Sequence, residues 1–212
     1  GVMRRIIFSK YSNDRDRRFA IRTDIVRNDD GGADLMEVEK HVMFPEGSEH
    51  LERQSRYFAE YSDRYSAAGL ELAEAGMDGG TLRYQFIDGD SVSDRIDAYI
   101  DCGDADKAAD LLLAFCERIR DLYSVETWKS TEQFGKVFGT VDFANVSPEG
   151  IKGCSFADID LVPENIIVSG DKGYVTDYEW IFDFPIPADY VVYRAIRTYM
   201  YSGGKRNMLM QH

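Results

Sequence analysis

Strand-forming runs crowd the first 87 residues of the chain, whereas two helical patterns follow one another directly afterwards. That segregation sets the tightest limit on its fold. Residues 2–10, VMRRIIFSK, and 19–26, FAIRTDIV, are rich in β-branched and aromatic residues and flank the polar turn YSNDRDRR. They read as an antiparallel hairpin. RNDDGGAD is a second turn, and LMEVEKHVMF alternates enough to form a third strand. Pro45 and Glu46 open a helix to about Tyr65, with Leu51, Tyr57, Phe58, Tyr61 and Tyr65 at helical intervals. TLRYQFI is a further strand that runs into DGD, an expected linker. Helices are predicted near 91–101 and 105–124, the second with an apolar face through Leu111, Leu112, Phe115, Ile119 and Leu122, and a last helix near 188–202. Strands grouped ahead of helices predict an α+β protein, with a small β-rich lobe over 1–87 and a mainly helical lobe over 88–212.

The 212 residues, 44% hydrophobic, suffice for a substantial core. A formal charge of −13 argues against a broad nucleic-acid footprint, so an anionic ligand would need a local basic site or a bridging cation. Cys102, Cys116 and Cys154 are odd in number and lack metal-ligand spacing, which reads as reduced thiols in a cytoplasmic protein. No apolar run approaches the ~20 residues that span a bilayer, so the chain is expected not to cross a membrane. Gly1 and the abrupt end at MLMQH suggest a domain excised from a larger protein.

Chemistry concentrates in ADIDLVPENIIVSGDKGYVTDYEW, residues 157–180. NIIV reads as a strand, SGDKG as a turn and YVTDYE as a returning strand, so Asn165 and Asp177 should meet at one end of a hairpin. A carboxylate beside a carboxamide oxygen suits Mg2+, which prefers hard oxygen ligands and keeps some of its waters. Asp160, on a loop stiffened by Pro163, stands one step away, where it could accept or orient the proton of an incoming hydroxyl.

The D-x-x-x-x-N spacing, followed by an apolar strand and a later Asp, resembles the catalytic loop and metal-binding Asp of the protein-kinase-like superfamily. DIDLVPEN is similar to H-R-D-L-K-P-E-N, and TDYE stands where D-F-G would. Asp-Tyr-Glu is nearer the aminoglycoside-phosphotransferase and lipopolysaccharide-kinase relatives. The resemblance implies a bilobal fold, ATP and Mg2+ as cofactors, Asp160 as catalytic base, and Asn165 and Asp177 as metal ligands. It further implies that Lys40, on the third strand, contacts the nucleotide phosphates, held by Glu46 or, alternatively, Glu49. Ile87, Asp88 and Gly89 would line the adenine-contacting linker. A narrower likeness is to kinase-like domains of bacterial cell-surface polysaccharide biosynthesis proteins, where a fused or associated methyltransferase or glycosyltransferase is an expected neighbour.

Departures from the pattern shape the expected substrate. YSNDRD carries no G-x-G-x-x-G, so Arg15, with Ser12 and Asn13, would reach phosphate through side chains instead. Asp158 replaces the H-R-D histidine, as a hydrogen-bond partner behind the site or as a turn cap, and Val162 replaces the following lysine. Only YEWIFDFPIP separates Asp177 from the final helix, leaving little room for an activation loop. The expected function is transfer of the γ-phosphoryl group to a small-molecule or glycan hydroxyl. Two rivals are a pseudokinase acting as a binding module, and a glycosyltransferase or phosphatase using Asp-Ile-Asp with a metal. Glu179 and Trp180 read as structural, with Glu179 a candidate metal assistant, and His41 and His50 as residues without catalytic work.

Overall fold

The computed structural model describes residues 3–12, 14–29, 34–143 and 147–211. The chain is α+β, with a β-rich first part and helices later. Strands β1 (Met3–Tyr11), β2 (Ile21–Asp29) and β3 (Asp34–Val42) form an antiparallel meander. Helix α1 (Ser48–Ala67) follows, then β4 (Leu70–Leu72), β5 (Ala75–Asp78) and β6 (Thr81–Gln85). The first sheet runs β1–β2–β3–β6–β5, so β3 is central and its side chains alternate between the two faces.

The later part contains β7 (Asp90–Ser91), α2 (Val92–Asp101), α3 (Ala105–Tyr123), β8 (Glu126–Thr127) and α4 (Glu132–Phe138). Then come β9 (Lys152–Cys154), β10 (Ala157–Asp158), β11 (Ile166–Ser169), β12 (Lys172–Val175), β13 (Ile181–Phe182), β14 (Ile186–Pro187) and α5 (Ala188–Tyr201). A second sheet runs β4–β12–β11–β7, in which β4 pairs parallel with β12 and so ties the early chain to the late hairpin. Two small ladders, β10–β13 and β14–β9–β8, brace the loops on either side.

Local chemistry accounts for the boundaries. Ser91 and Asp94 form a reciprocal capping box that starts α2, and the Asp104 carboxylate accepts from Lys107 N–H to start α3. The β11–β12 hairpin turns through Gly170 at φ +63°, the positive φ that a two-residue type II′ loop requires at its first position. In α1 the buried residues His50, Leu51, Gln54, Tyr57 and Tyr65 make a stripe at helical spacing that packs under the first sheet. One core cluster runs from Ile21, Leu82 and Tyr84 in the first sheet through Leu51 and Tyr65 to Ile119, Val191 and Tyr199 in the helices.

The strands and helices differ from expectation at their edges. Pro45–Gly47 is a 3-10 turn, so the helix begins only at Ser48. The strands β4 and β5 and the helix α4 are shorter than the windows in which periodicity shows. Pairing of the hairpin stops at Ile166 and Val175, which leaves Asp177 just past the ladder. Among the described residues no helix is long and apolar enough to cross a membrane.

Candidate functional site

Two adjoining groups of polar side chains meet at the end of the β11–β12 hairpin. The first surrounds Lys40. Because β3 is central, Lys40 points inward and is only 2% exposed. Its Nζ lies 2.7 Å from Glu179 Oε1, 3.0 Å from Asp177 Oδ1 and 3.4 Å from Gln54 Oε1, and 5.0 Å from the centre of the Tyr84 ring. Burial alone would pull the lysine down, but the Asp177 and Glu179 charges outweigh it and hold the ammonium form above its ordinary range. Burial likewise pushes Glu179 up, and the Lys40 charge, with hydrogen bonds from Lys40 and Arg15, reverses this and brings it to about 2. Arg15 Nη1 is 2.6 Å from Glu179 Oε2, so both oxygens of Glu179 are engaged by cations. Asp177 differs: its side chain is 43% exposed, and it meets Lys40 through Oδ1 alone.

His50 completes this group from α1. Its Nε2 stands 4.0 Å from Glu179 Oε2, and its ring packs against Phe19 and Trp180 at centroid distances of 5.1 and 5.8 Å. Burial lowers the imidazole from 6.5 to about 4 against the attraction of Glu179, and the charges of Lys40, Arg15 and Arg53 act in the same direction as burial. The ring is therefore neutral at pH 7.

The second group is the loop from Asp158 to Asn165, held both by its own hydrogen bonds and by bonds to the elements around it. Asp160 N–H donates to Asp158 Oδ1 at 3.0 Å. The Asp160 carbonyl accepts from Val162 N–H at 2.8 Å and from Asn165 Nδ2 at 3.0 Å. The Asn165 carbonyl in turn accepts from Thr176 N–H and Oγ1, at 2.9 and 3.2 Å, which seats the loop one residue from Asp177. With Nδ2 occupied by the loop, the oxygen of the Asn165 carboxamide is left for another partner. Asn165 Oδ1 and Asp177 Oδ2 are two hard oxygens of the kind a small divalent cation accepts while it keeps part of its water shell. Among the described residues no cluster of three or more His, Cys, Asp or Glu side chains is arranged as a metal cage.

Asp158 lies behind the loop. It is fully buried, and burial, then the neighbouring Asp160 charge, pushes its carboxyl well above the usual carboxylate range. Its backbone N–H donates to Tyr123 Oη at 3.1 Å, and Tyr123 shares a 2.5 Å contact with Tyr65, whose hydroxyl meets that of Tyr57 at 2.8 Å. This chain of hydroxyls ties α1 and α3 to the loop. Asp160 is the half-exposed carboxylate of the pair, and Arg194 Nη2 on α5 reaches its Oδ1.

The expected residues are thus brought together in two linked sets, Lys40 with Asp177 and Asp160 with Asn165, with Arg15 joined to the first through Glu179. Asn13 lies outside the described residues. Ile87 is half-buried against the core, and Asp88 is exposed on the segment leading into β7. Glu46 requires correction as the partner of Lys40. It sits in the 3-10 turn before α1, exposed, 3.3 Å from Arg17, while Glu49 is also exposed. The charge that holds Lys40 comes instead from Glu179 beyond the hairpin, and the α1 position facing the lysine is the uncharged Gln54. Gln54 was visible as one of two polar residues, with His50, on the buried stripe of α1. Arg194 left no local signal, because it is one of two arginines on a mixed helix.

No protein-family model matches the chain, and no curated protein matches it.

Proposed function

We propose that the chain is a phosphotransferase of bilobal protein-kinase-like fold that moves the γ-phosphoryl group of ATP to a hydroxyl of a small molecule or glycan. The observation that carries this reading is the Lys40 ammonium, buried and 3.0 Å from Asp177, at the same hairpin end as the Asp160–Asn165 loop. In it, Lys40 binds the nucleotide phosphates, with Glu179 and Gln54 fixing the ammonium. Mg2+ on Asn165 and Asp177 offsets the charge on the transferred group. Asp160 orients the acceptor hydroxyl and accepts its proton. Such transfers depend chiefly on positioning and electrostatics, so this few groups suffices. The linker from β6 to β7, with Ile87 and Asp88, would receive the adenine.

A binding module without turnover is the second reading. It is favoured by Glu179, whose carboxylate already occupies both Lys40 and Arg15, the two cations that phosphate would need.

Calorimetry with ATP and Mg2+, paired with a hydrolysis assay, tests both. The phosphotransferase reading expects Mg-dependent binding, lost in Asp177→Ala, and turnover abolished in Asp160→Ala with binding kept. Absence of turnover, with or without nucleotide binding, favours the module. No binding at millimolar nucleotide rejects the phosphotransferase.

A further inference from the structure

We infer that Arg194 is a positioning residue for Asp160: from α5 it binds one carboxylate oxygen, Oδ1, and so presents the other, Oδ2, as the atom that receives the acceptor hydroxyl. The inference rests on the phosphotransferase reading of the site. It follows from accounting for every polar atom of Asp160. The N–H donates to Asp158 Oδ1 at 3.0 Å, and the carbonyl accepts from Val162 N–H and Asn165 Nδ2 at 2.8 and 3.0 Å. Oδ1 accepts from Arg194 Nη2 at 2.5 Å. Only Oδ2 carries no hydrogen bond among the described residues.

Arg194 does more than touch the carboxylate. Its Nε donates to the carbonyl of Ile159 at 3.2 Å, so a single planar guanidinium fixes both the side chain of residue 160 and the backbone one residue earlier. A lysine has no fork with which to span both acceptors at once. The base of α5 is rigid, since Val191, Val192 and Ala195 around Arg194 are buried in the core. The guanidinium is therefore held by packing, as a positioning group must be.

Charge gives the second argument. Asp158, Asp160, Asp177 and Glu179 crowd one end of the hairpin, and Lys40 and Arg15 are engaged by the last two. The loop itself supplies no cation, because Val162 is apolar and 4% exposed. Arg194 is the one described cation in ion-pair contact with Asp160. It sets a positive charge against the crowded carboxylates without tying up the oxygen that does the work.

The test compares wild type with Arg194→Ala and Arg194→Lys, using MgATP with water as acceptor, binding by calorimetry and hydrolysis by phosphate release. The expected result for Arg194→Ala is unchanged MgATP affinity with kcat about 10- to 100-fold lower, the scale of a mispositioned reacting group. Arg194→Lys should fall between the two, and added guanidinium ion should restore part of the Arg194→Ala rate. Wild-type kcat in Arg194→Ala overturns the inference. Loss of MgATP binding together with kcat, or no rescue by guanidinium, overturns it too, since that marks a structural role. A wild type inert toward MgATP overturns the phosphotransferase reading and this inference with it, and the wild-type measurement alone separates that outcome from the others.

Discussion

At the scale of single residues, the site is a balance between buried charge and the partners that compensate it. Lys40 and Glu179 are both almost wholly buried, and neither would be tolerated there without the other. His50, close by, cannot join the balance as a cation because it is buried, and the charges of Lys40, Arg15 and Arg53 add to that penalty. This has a consequence for acid stability. Above pH 6.5 the ring is neutral in both folded and unfolded chains. Between about 6.5 and 4 the unfolded ring takes up a proton that the folded ring refuses, so stability falls as pH falls through this window. The shift corresponds to roughly 3 kcal/mol when complete. Urea midpoints at pH 7 and pH 5 should therefore drop further for wild type than for His50→Gln. An equal drop in both would show that the ring carries a proton in the folded state. The Glu179 contribution is lost only at lower pH, as its folded value of about 2 is approached.

At the scale of elements, the short pairing of β7 with β11 matters more than its length suggests, because it places the segment after Asp88 directly on the hairpin that bears Asn165 and Asp177. Glycine is required there. A Cβ on Gly89 would lie 2.2 Å from the carbonyl oxygen of Val168 and 3.1 Å from Ile167 Cγ2. The obstacle is backbone, so it cannot simply turn aside. Gly89→Ala should separate β7 from β11 and cost about 1–3 kcal/mol, the usual range for overpacking. Ser91→Ala, which removes only the cap of α2, should cost about 1 kcal/mol. Thermal unfolding should rank the two in that order, and a Gly89→Ala protein as stable as wild type would disprove the close approach. Much at this scale was legible in the sequence. The meander, α1, α2, α3, the hairpin and α5 all follow from periodicity and turn chemistry that act within a few residues. The strands β4, β8 and β9 were not legible, since each is made by a partner elsewhere in the chain, and β5, paired with the adjacent β6, is too short to show a period.

At the scale of the whole molecule, the C-terminal segment is fastened to the site by one arginine. Arg206 pairs with both oxygens of Asp97, at 2.9 and 2.7 Å, donates to the Tyr199 carbonyl at 2.6 Å and reaches Glu164 at 3.2 Å. Glu164 stands beside Asn165, so the last turn of the chain braces the loop that carries Asp160. Arg206→Met would leave Asp97 and Glu164 without their cation. The expected loss is roughly 2–4 kcal/mol, nearer the lower figure because Asp97 keeps some contact with water. A urea midpoint within experimental error of wild type would remove Arg206 from this role.

The placement of Asn165 and Asp177 near one end of the hairpin, with Asp160 on the adjoining loop, and the α+β order were readable from the chain alone, because loop spacing, hairpin register and hydrophobic period are properties of neighbouring residues. Glu179 and Gln54 as the partners of Lys40, Arg194 as the partner of Asp160, and Asp158 as a buried carboxyl were settled only by tertiary structure. Each of those contacts joins segments far apart in the chain. Which carboxylate a buried ammonium meets depends on where whole elements pack, and no local pattern of side chains encodes that.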